Sequence, residues 1–159
     1  MIILRILVIS DSHGNKWNFL DAIKNEPTAE VVYFLGDGLR DCKEAELAYK
    51  GEKAFIAVCG NCDLGCDNPE KDIRTIEGAK IYATHGYAEK VKFGLYNLEY
   101  EARKEKCNIA IFGHTHQPYS HYYDGVYFFN PGSIKDGFYG VIDITESGII
   151  CINKNLYSY

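Results

Sequence analysis

Ile6-Leu7-Val8-Ile9-Ser10-Asp11-Ser12-His13-Gly14-Asn15 decides how the chain is read. An apolar, β-branched run stops abruptly at an acid, a histidine and a glycine. Runs of about four to eight such residues read as a strand buried on both faces. A buried strand ending in Asp-x-His brings two polar groups to one edge of a sheet. Leaving a polar group unpaired there costs about 2–7 kcal/mol, and a charge costs more. A cation removes that cost, because carboxylate oxygen and neutral imidazole are both metal ligands. The pair alone also fits a plainer arrangement, with Asp11 capping a helix that starts near Asn15 and His13 in a loop.

The arrangement recurs along the chain. Val31 to Leu35 reads as a strand that stops at Gly36-Asp37-Gly38, and Ala54 to Val58 as one that stops at Gly60-Asn61-Cys62-Asp63. A hairpin is expected over Asp72–Ile76 and Lys80–Thr84, around Glu77-Gly78, with its second arm ending at His85-Gly86. Ile109 to Phe112 stops at Gly113-His114-Thr115-His116. Four of the five histidines thus sit at strand ends; His121, in a Tyr-rich hairpin, reads as structural.

Helices are expected between these strands. One runs to about Asn25 with Trp17, Leu20, Ala22 and Ile23 inward, and Pro27 ends it. A second spans about Asp41 to Lys50, closed by Gly51. A third covers Lys92 to Lys106, with Phe93, Leu95, Tyr96, Leu98, Tyr100 and Ala102 wrapping one side. Strands follow over Ser120–Tyr123 and Val126–Phe129, then Asn130-Pro131-Gly132-Ser133 as a turn. A last hairpin runs from about Phe138 to Ile144 and Gly148 to Ile152.

Strand–helix alternation in the first half implies parallel strands with right-handed crossovers. Hairpins in the second half imply a second or mixed sheet. Two sheets packed face to face with helices outside is the compact solution, an α/β architecture. Ligands of open α/β sheets gather beyond the carboxyl ends of the strands.

The bulk properties narrow the classes. With 159 residues the chain suits one domain, residues 1–159, with a sizeable core. A net charge of −5 argues against a general nucleic-acid or anionic-membrane binder. Arg103, Lys104 and Lys106 read as the solvated face of a helix. The first ten residues carry Arg5 and lack a cleavage site, so they read as a strand and not a signal peptide. No apolar run approaches the length of a membrane span. The six cysteines (Cys42, Cys59, Cys62, Cys66, Cys107, Cys151) are expected as reduced thiols in a cytoplasmic protein. Cys59-x-x-Cys62-x-x-x-Cys66 lacks a fourth thiolate for a zinc or iron–sulfur knuckle.

Asp11, His13, Asp37, Asn61, His85, His114 and His116 make seven oxygen or nitrogen donors. One tetrahedral zinc takes about four. Seven suit two cations of higher coordination number that share a carboxylate. Such a pair, about 3.5–4 Å apart, clamps an in-line displacement at phosphorus and generates hydroxide near neutral pH. The mixed donor set fits manganese, iron, nickel, cobalt or zinc better than magnesium or calcium.

In order and relative spacing, Asp11-x-His13, Gly36-Asp37, Gly60-Asn61-x-Asp63, His85-Gly86 and Gly113-His114-x-His116 resemble the calcineurin-like metallophosphoesterases, in particular their small bacterial and archaeal phosphodiesterases. The resemblance spans residue 3 to about 133. It implies a four-layer α/β/β/α sandwich and phosphodiester hydrolysis by two divalent cations, manganese first, with a metal-generated hydroxide as nucleophile. It also implies that Asp11, His13 and His116 hold the first metal, that Asn61, His85 and His114 hold the second, and that Asp37 bridges them. Asp37, Asn61, His85 and His114 double as the catalytic set. The expected substrate is a small phosphodiester; homo-oligomerisation is left open.

Larger members of that family carry histidine where this chain has Cys62, and the small members share the cysteine. A thiol is a poorer proton donor to a departing alkoxide than imidazolium. That weighs against poor leaving groups, and with the small size against a phosphomonoesterase or protein phosphatase. Asp63 loses its expected partner and is left as a supporting residue. A scaffold reading also stands, because a retromer subunit shares the fold without clear catalysis. The filled ligand positions favour the enzyme.

Overall fold

The run that ends at Asp11 is the middle strand of a sheet. In the computed structural model, which describes residues 1–158, the first half of the chain holds β1 (Ile2–Ile9), α1 (Lys16–Asn25), β2 (Val31–Phe34), α2 (Leu39–Ala48), β3 (Ala54–Ala57), β4 (Lys71–Ile76) and β5 (Ala79–Thr84). The second half holds α3 (Tyr96–Lys104), β6 (Ile109–Ile111), β7 (Tyr119–Tyr123), β8 (Val126–Asn130), β9 (Phe138–Thr145) and β10 (Gly148–Asn155).

Two mixed sheets form, in strand order β10-β9-β1-β2-β3 and β4-β5-β6-β8-β7. β1, β2 and β3 run parallel, and β9 is antiparallel to β1. Side chains alternate across β1 as the pleat requires. Ile6 and Val8 enter the core between the sheets, while Leu7 and Ile9 face Phe19, Ala22 and Ile23 of α1 and Cys42 and Ala45 of α2. The second sheet repeats this. Ile81, Ala83, Ile109 and Ile111 point inward, and Tyr82, Ala110 and Phe112 meet Leu98 and Ala102 of α3. The result is the four-layer α/β/β/α sandwich. Each fully buried aliphatic side chain contributes about 1.5–3 kcal/mol.

Both sheets are mixed, as expected. The last hairpin joins the first sheet, because β9 pairs with β1. The second sheet has a parallel centre, since α3 crosses over between β5 and β6 and β8 aligns with β6. The segment expected as one helix over 92–106 is instead a 3-10 turn at Val91–Phe93 followed by α3. Gly94, at φ 127°, separates them. Helical spacing therefore misassigned the face: Phe93 is 91% exposed, and Tyr96 and Tyr100 also lie outside. Trp17, expected inward, is 68% exposed, and Phe19 takes its place in the core. Among the described residues no helix is long and apolar enough to cross a membrane.

Arg5 ties the elements together on the side of β1 away from the strand ends. Its guanidinium donates two hydrogen bonds of 2.8 Å to Asp143 of β9 and one of 3.2 Å to Glu26 at the end of α1. Glu26 also accepts from Lys154 and, at 3.3 Å, from the Tyr139 hydroxyl. Arg5→Ala strands the buried Asp143 carboxylate. We expect a loss of about 3 kcal/mol, read as a fall in Tm of roughly 6–12 °C. An unchanged Tm would mean that the pair contributes nothing net.

Candidate metal centre

All seven residues singled out by the sequence lie on loops at the carboxyl ends of β1, β2, β3, β5 and β6, and these loops meet above the seam between the two sheets. Asp11, His13, Asp37, His114 and His116 all have left-handed backbones, with φ between 42° and 69°. Each such residue costs about 1–3 kcal/mol unless its surroundings enforce it. The turns are tight because the side chains must converge immediately after each strand stops.

Convergence is close. His13 Nε2 and His116 Nε2 lie 3.3 Å apart, and Asp11 Oδ1 is 3.6 Å from the first and 3.2 Å from the second. Asp37 Oδ2 lies 3.8 Å from His13 Nε2 and 3.3 Å from His85 Nε2, so one carboxylate faces both halves of the cluster. His85 Nε2 is also 2.9 Å from Asn61 Oδ1 and 3.2 Å from His114 Nδ1. Asp11, Asp37 and His85 are buried; His13, His116 and Asn61 open to solvent.

The hydrogen bonding shows what the cluster lacks. The Leu35 carbonyl can only accept, and it sits 2.7 Å from His85 Nδ1. That nitrogen therefore carries a hydrogen, and in the neutral ring the Nε2 lone pair faces the acceptor oxygens of Asn61 and Asp37 and a ring nitrogen of His114. Asp11 is similar. Its Oδ2 accepts from the Ser10 hydroxyl and, at 3.0 Å, from the His114 N–H, whereas its Oδ1 is buried without a partner. Acceptors crowded in this way repel unless a cation or proton lies among them. The residues fit a metal.

Ionisation follows the same crowding. Burial works against the charged form of Asp37, but His85 and the backbone and thiol of Cys62 outweigh it and hold its pKa down at about 2. Burial likewise opposes the charged form of His85, and Asp37, Asp11 and the Leu35 carbonyl outweigh it, raising that pKa. Burial, then the charges of His85 and Lys92, lower His114.

Residues 4–146 match the family model described as the calcineurin-like phosphoesterase superfamily domain. The chain belongs to that superfamily. It is 31% identical over 133 residues to the probable metallophosphoesterase YsnB of Bacillus subtilis, covering 83% of this chain and 76% of the relative. It is 27% identical over 166 residues to phosphodiesterase YfcE of Escherichia coli K12, covering 94% and 84%. A solved structure from Streptococcus pneumoniae TIGR4, a conserved uncharacterized protein (predicted phosphoesterase), superposes with a TM-score of 0.78 at 26% identity, covering 96% of this chain and 89% of that one. By family this calcineurin-like chain is a phosphoric ester hydrolase that uses divalent metal.

Around the cluster stand residues that support it, through bonds whose partners the sequence did not reveal. Asp63, without an evident partner in the sequence, accepts four backbone N–H bonds. They come from Asp37 at 2.7 Å, Gly60 at 2.8 Å, Gly38 at 2.9 Å and Leu39 at 3.1 Å. It pins the Asp37 turn and sits at the positive end of α2. Asp41 does the same for the first loop, accepting from the Ser12 hydroxyl at 2.6 Å and the Gly14 N–H at 2.9 Å. Asn130, in the turn that the family resemblance places beside the site as support, donates to the Gly113 carbonyl at 3.1 Å and to the Thr115 hydroxyl at 3.0 Å. Asn15, not Asp11, caps α1. At Gly60 the loops approach so closely that a Cβ would land on the Asp37 carboxylate. No sequence signal marks Asp41, because its partners are far along the chain.

The thiols divide. Cys59 and Cys66 form a disulfide, which corrects the reduced-thiol expectation for that pair. The intervening loop doubles back and brings their Cα atoms to 6.2 Å, a proximity that spacing along the chain does not reveal. Cys42, Cys62, Cys107 and Cys151 are free. Cys62 is exposed beside Asp37, and burial of its sulfur and the Asp37 charge push its pKa up. His121 is exposed on β7 between the rings of Tyr119 and Tyr123, away from the cluster.

Proposed function

We propose that this chain, as one calcineurin-like domain over residues 1–159, is a phosphodiesterase with a dinuclear centre, manganese being the favoured cation. Asp11, His13 and His116 would hold one ion, Asn61, His85 and His114 the other, and Asp37 both. The observation that carries this reading is His85 Nε2, opposite the Leu35-bonded Nδ1, facing the oxygens of Asn61 and Asp37 and a ring nitrogen of His114, matched across Asp37 by the orphaned Asp11 Oδ1.

When bound, two divalent cations lower the pKa of water and polarise phosphoryl oxygens. The chain's part is to hold the donors in place. Asp63 and Asp41 fix the loops of Asp37 and His13, and the Leu35 carbonyl sets the His85 tautomer. Beside Asn61 and His85 lies a small groove of about 70 Å³, lined also by Glu70 and Tyr87. The larger cleft of about 740 Å³, lined by Tyr82, Glu89 and Tyr100, borders that groove at Glu70 and Ala88 but holds none of the seven donors. No imidazole stands where the leaving group would need a proton; the neighbour there is the Cys62 thiol. The name of YfcE supports a diester over a monoester as substrate.

The test is hydrolysis of a bis-aryl phosphate by manganese-loaded protein, alongside alkyl diesters. We expect turnover of the aryl diester, its loss on chelation, and slower cleavage of alkyl diesters by about 10²–10⁴-fold, the usual worth of general acid catalysis. Metal-replete protein that hydrolyses no diester would return the scaffold reading to first place.

A further inference from the structure

We propose that Cys62 is an eighth donor of this centre, a soft one, which bonds zinc or cobalt through sulfur and leaves manganese to the oxygen and nitrogen donors. The proposal rests on the metal-centre reading above and adds to it a residue that the seven-donor set omits. Ligand atoms of Cys62, His13 and Asp37 lie within 4.8 Å of one another, as do those of Asp11, His13 and His116 and those of Asp37, His85 and His114. The three groups are contiguous, since His13 belongs to two of them and Asp37 to two.

The sulfur is also held in place. The Cys62 N–H donates to Asp37 Oδ1 at 2.8 Å, and the Asn61 amide reaches Sγ at 3.6 Å. The loop is fastened by Asp63 from within and by the Cys59–Cys66 disulfide across its base. Beside His13, on the same side of the cluster, the buried Asp11 Oδ1 waits without a partner. A cation drawn there by Asp11, His13 and Asp37 has a thiol in its immediate surroundings.

Chemistry then sorts the metals. Thiolate is a soft ligand that favours zinc and cobalt, whereas manganese prefers carboxylate, imidazole and water. As the sulfur–metal bond forms, the sulfur donates an electron pair to the cation and the thiol proton leaves to solvent. Cys62 is exposed on the open side of the centre, so such a bond competes with substrate. The ion loaded would therefore decide whether that approach stays free.

Cobalt(II) titration of metal-free protein tests this without any turnover. Visible ligand-field absorption reports bound cobalt, and near-ultraviolet charge transfer reports a cobalt–sulfur bond. Wild type should show both. Cys62→Ser and Cys62→Ala should bind the same amount of cobalt with the charge-transfer band gone. Their zinc affinity should fall roughly 10–100-fold while manganese affinity holds within about twofold. Ligand-field bands without charge transfer in wild type would overturn this inference and leave the metal centre standing. Charge transfer that persists in both variants would assign the sulfur elsewhere and overturn it too. A failure to bind cobalt at all would remove the metal-centre reading itself.

Discussion

Asp37→Asn should lower kcat/KM for an aryl diester by roughly 10³-fold and leave fewer than two cations on each chain. The carboxylate faces both halves of the cluster, at 3.8 Å from His13 Nε2 and 3.3 Å from His85 Nε2. An amide at that position keeps the shape but loses the negative charge that lets one group neutralise two ions. Losing several kcal/mol of charge stabilisation in the transition state corresponds to about tenfold for each 1.4 kcal/mol. Folding should survive, because the Cys62 N–H can still donate to the remaining oxygen and the Asp63 bond to the Asp37 N–H is untouched. Near-normal turnover with two retained cations would remove Asp37 from the shared position.

Asp63→Ala should be nearly as damaging by another route. Its carboxylate is the common acceptor for the N–H groups of Asp37, Gly38, Leu39 and Gly60, and it touches none of the seven donors through its own side chain except by way of that backbone. Removal takes four acceptor bonds from the left-handed Asp37 turn and the start of α2, leaving that turn to the His13 N–H on its carbonyl and the Cys62 N–H on its carboxylate. We expect about 3 kcal/mol of lost stability and a metal affinity reduced roughly 10–100-fold. Asp63→Asn, which keeps one acceptor oxygen, should fall between wild type and Asp63→Ala. If calorimetry shows the alanine variant binding metal as wild type does, the loop is fixed by something other than Asp63.

The cluster is legible in the sequence because its signal is local: each of its seven residues follows a buried strand by a few positions, and the strands announce themselves by β-branched runs such as Ile6 to Ile9. The two-sheet architecture followed from the same runs. Asp63 and the Asn130 turn were expected as support, but the partners that hold the cluster in place are not legible in the sequence. Asp41 reaches Ser12 and Gly14 across 27 to 29 residues, and Asn130 reaches Gly113 and Thr115, pairings that depend on where loops meet in space. Periodicity misplaces the face of the third helix because tyrosine counts as apolar in such a pattern, yet Tyr96 and Tyr100 lie exposed. The Cys59–Cys66 bond is illegible for the converse reason: compartment arguments concern whole chains, and the fold brings these two sulfurs together on one loop.

The central claim is that one carboxylate serves two cations. Its most direct test is the metal-to-protein ratio at saturation, measured by elemental analysis after titrating metal-free protein with manganese and removing the excess. The account predicts two ions per chain in the wild type. Saturation at a single ion per chain, with diester hydrolysis intact, would contradict it.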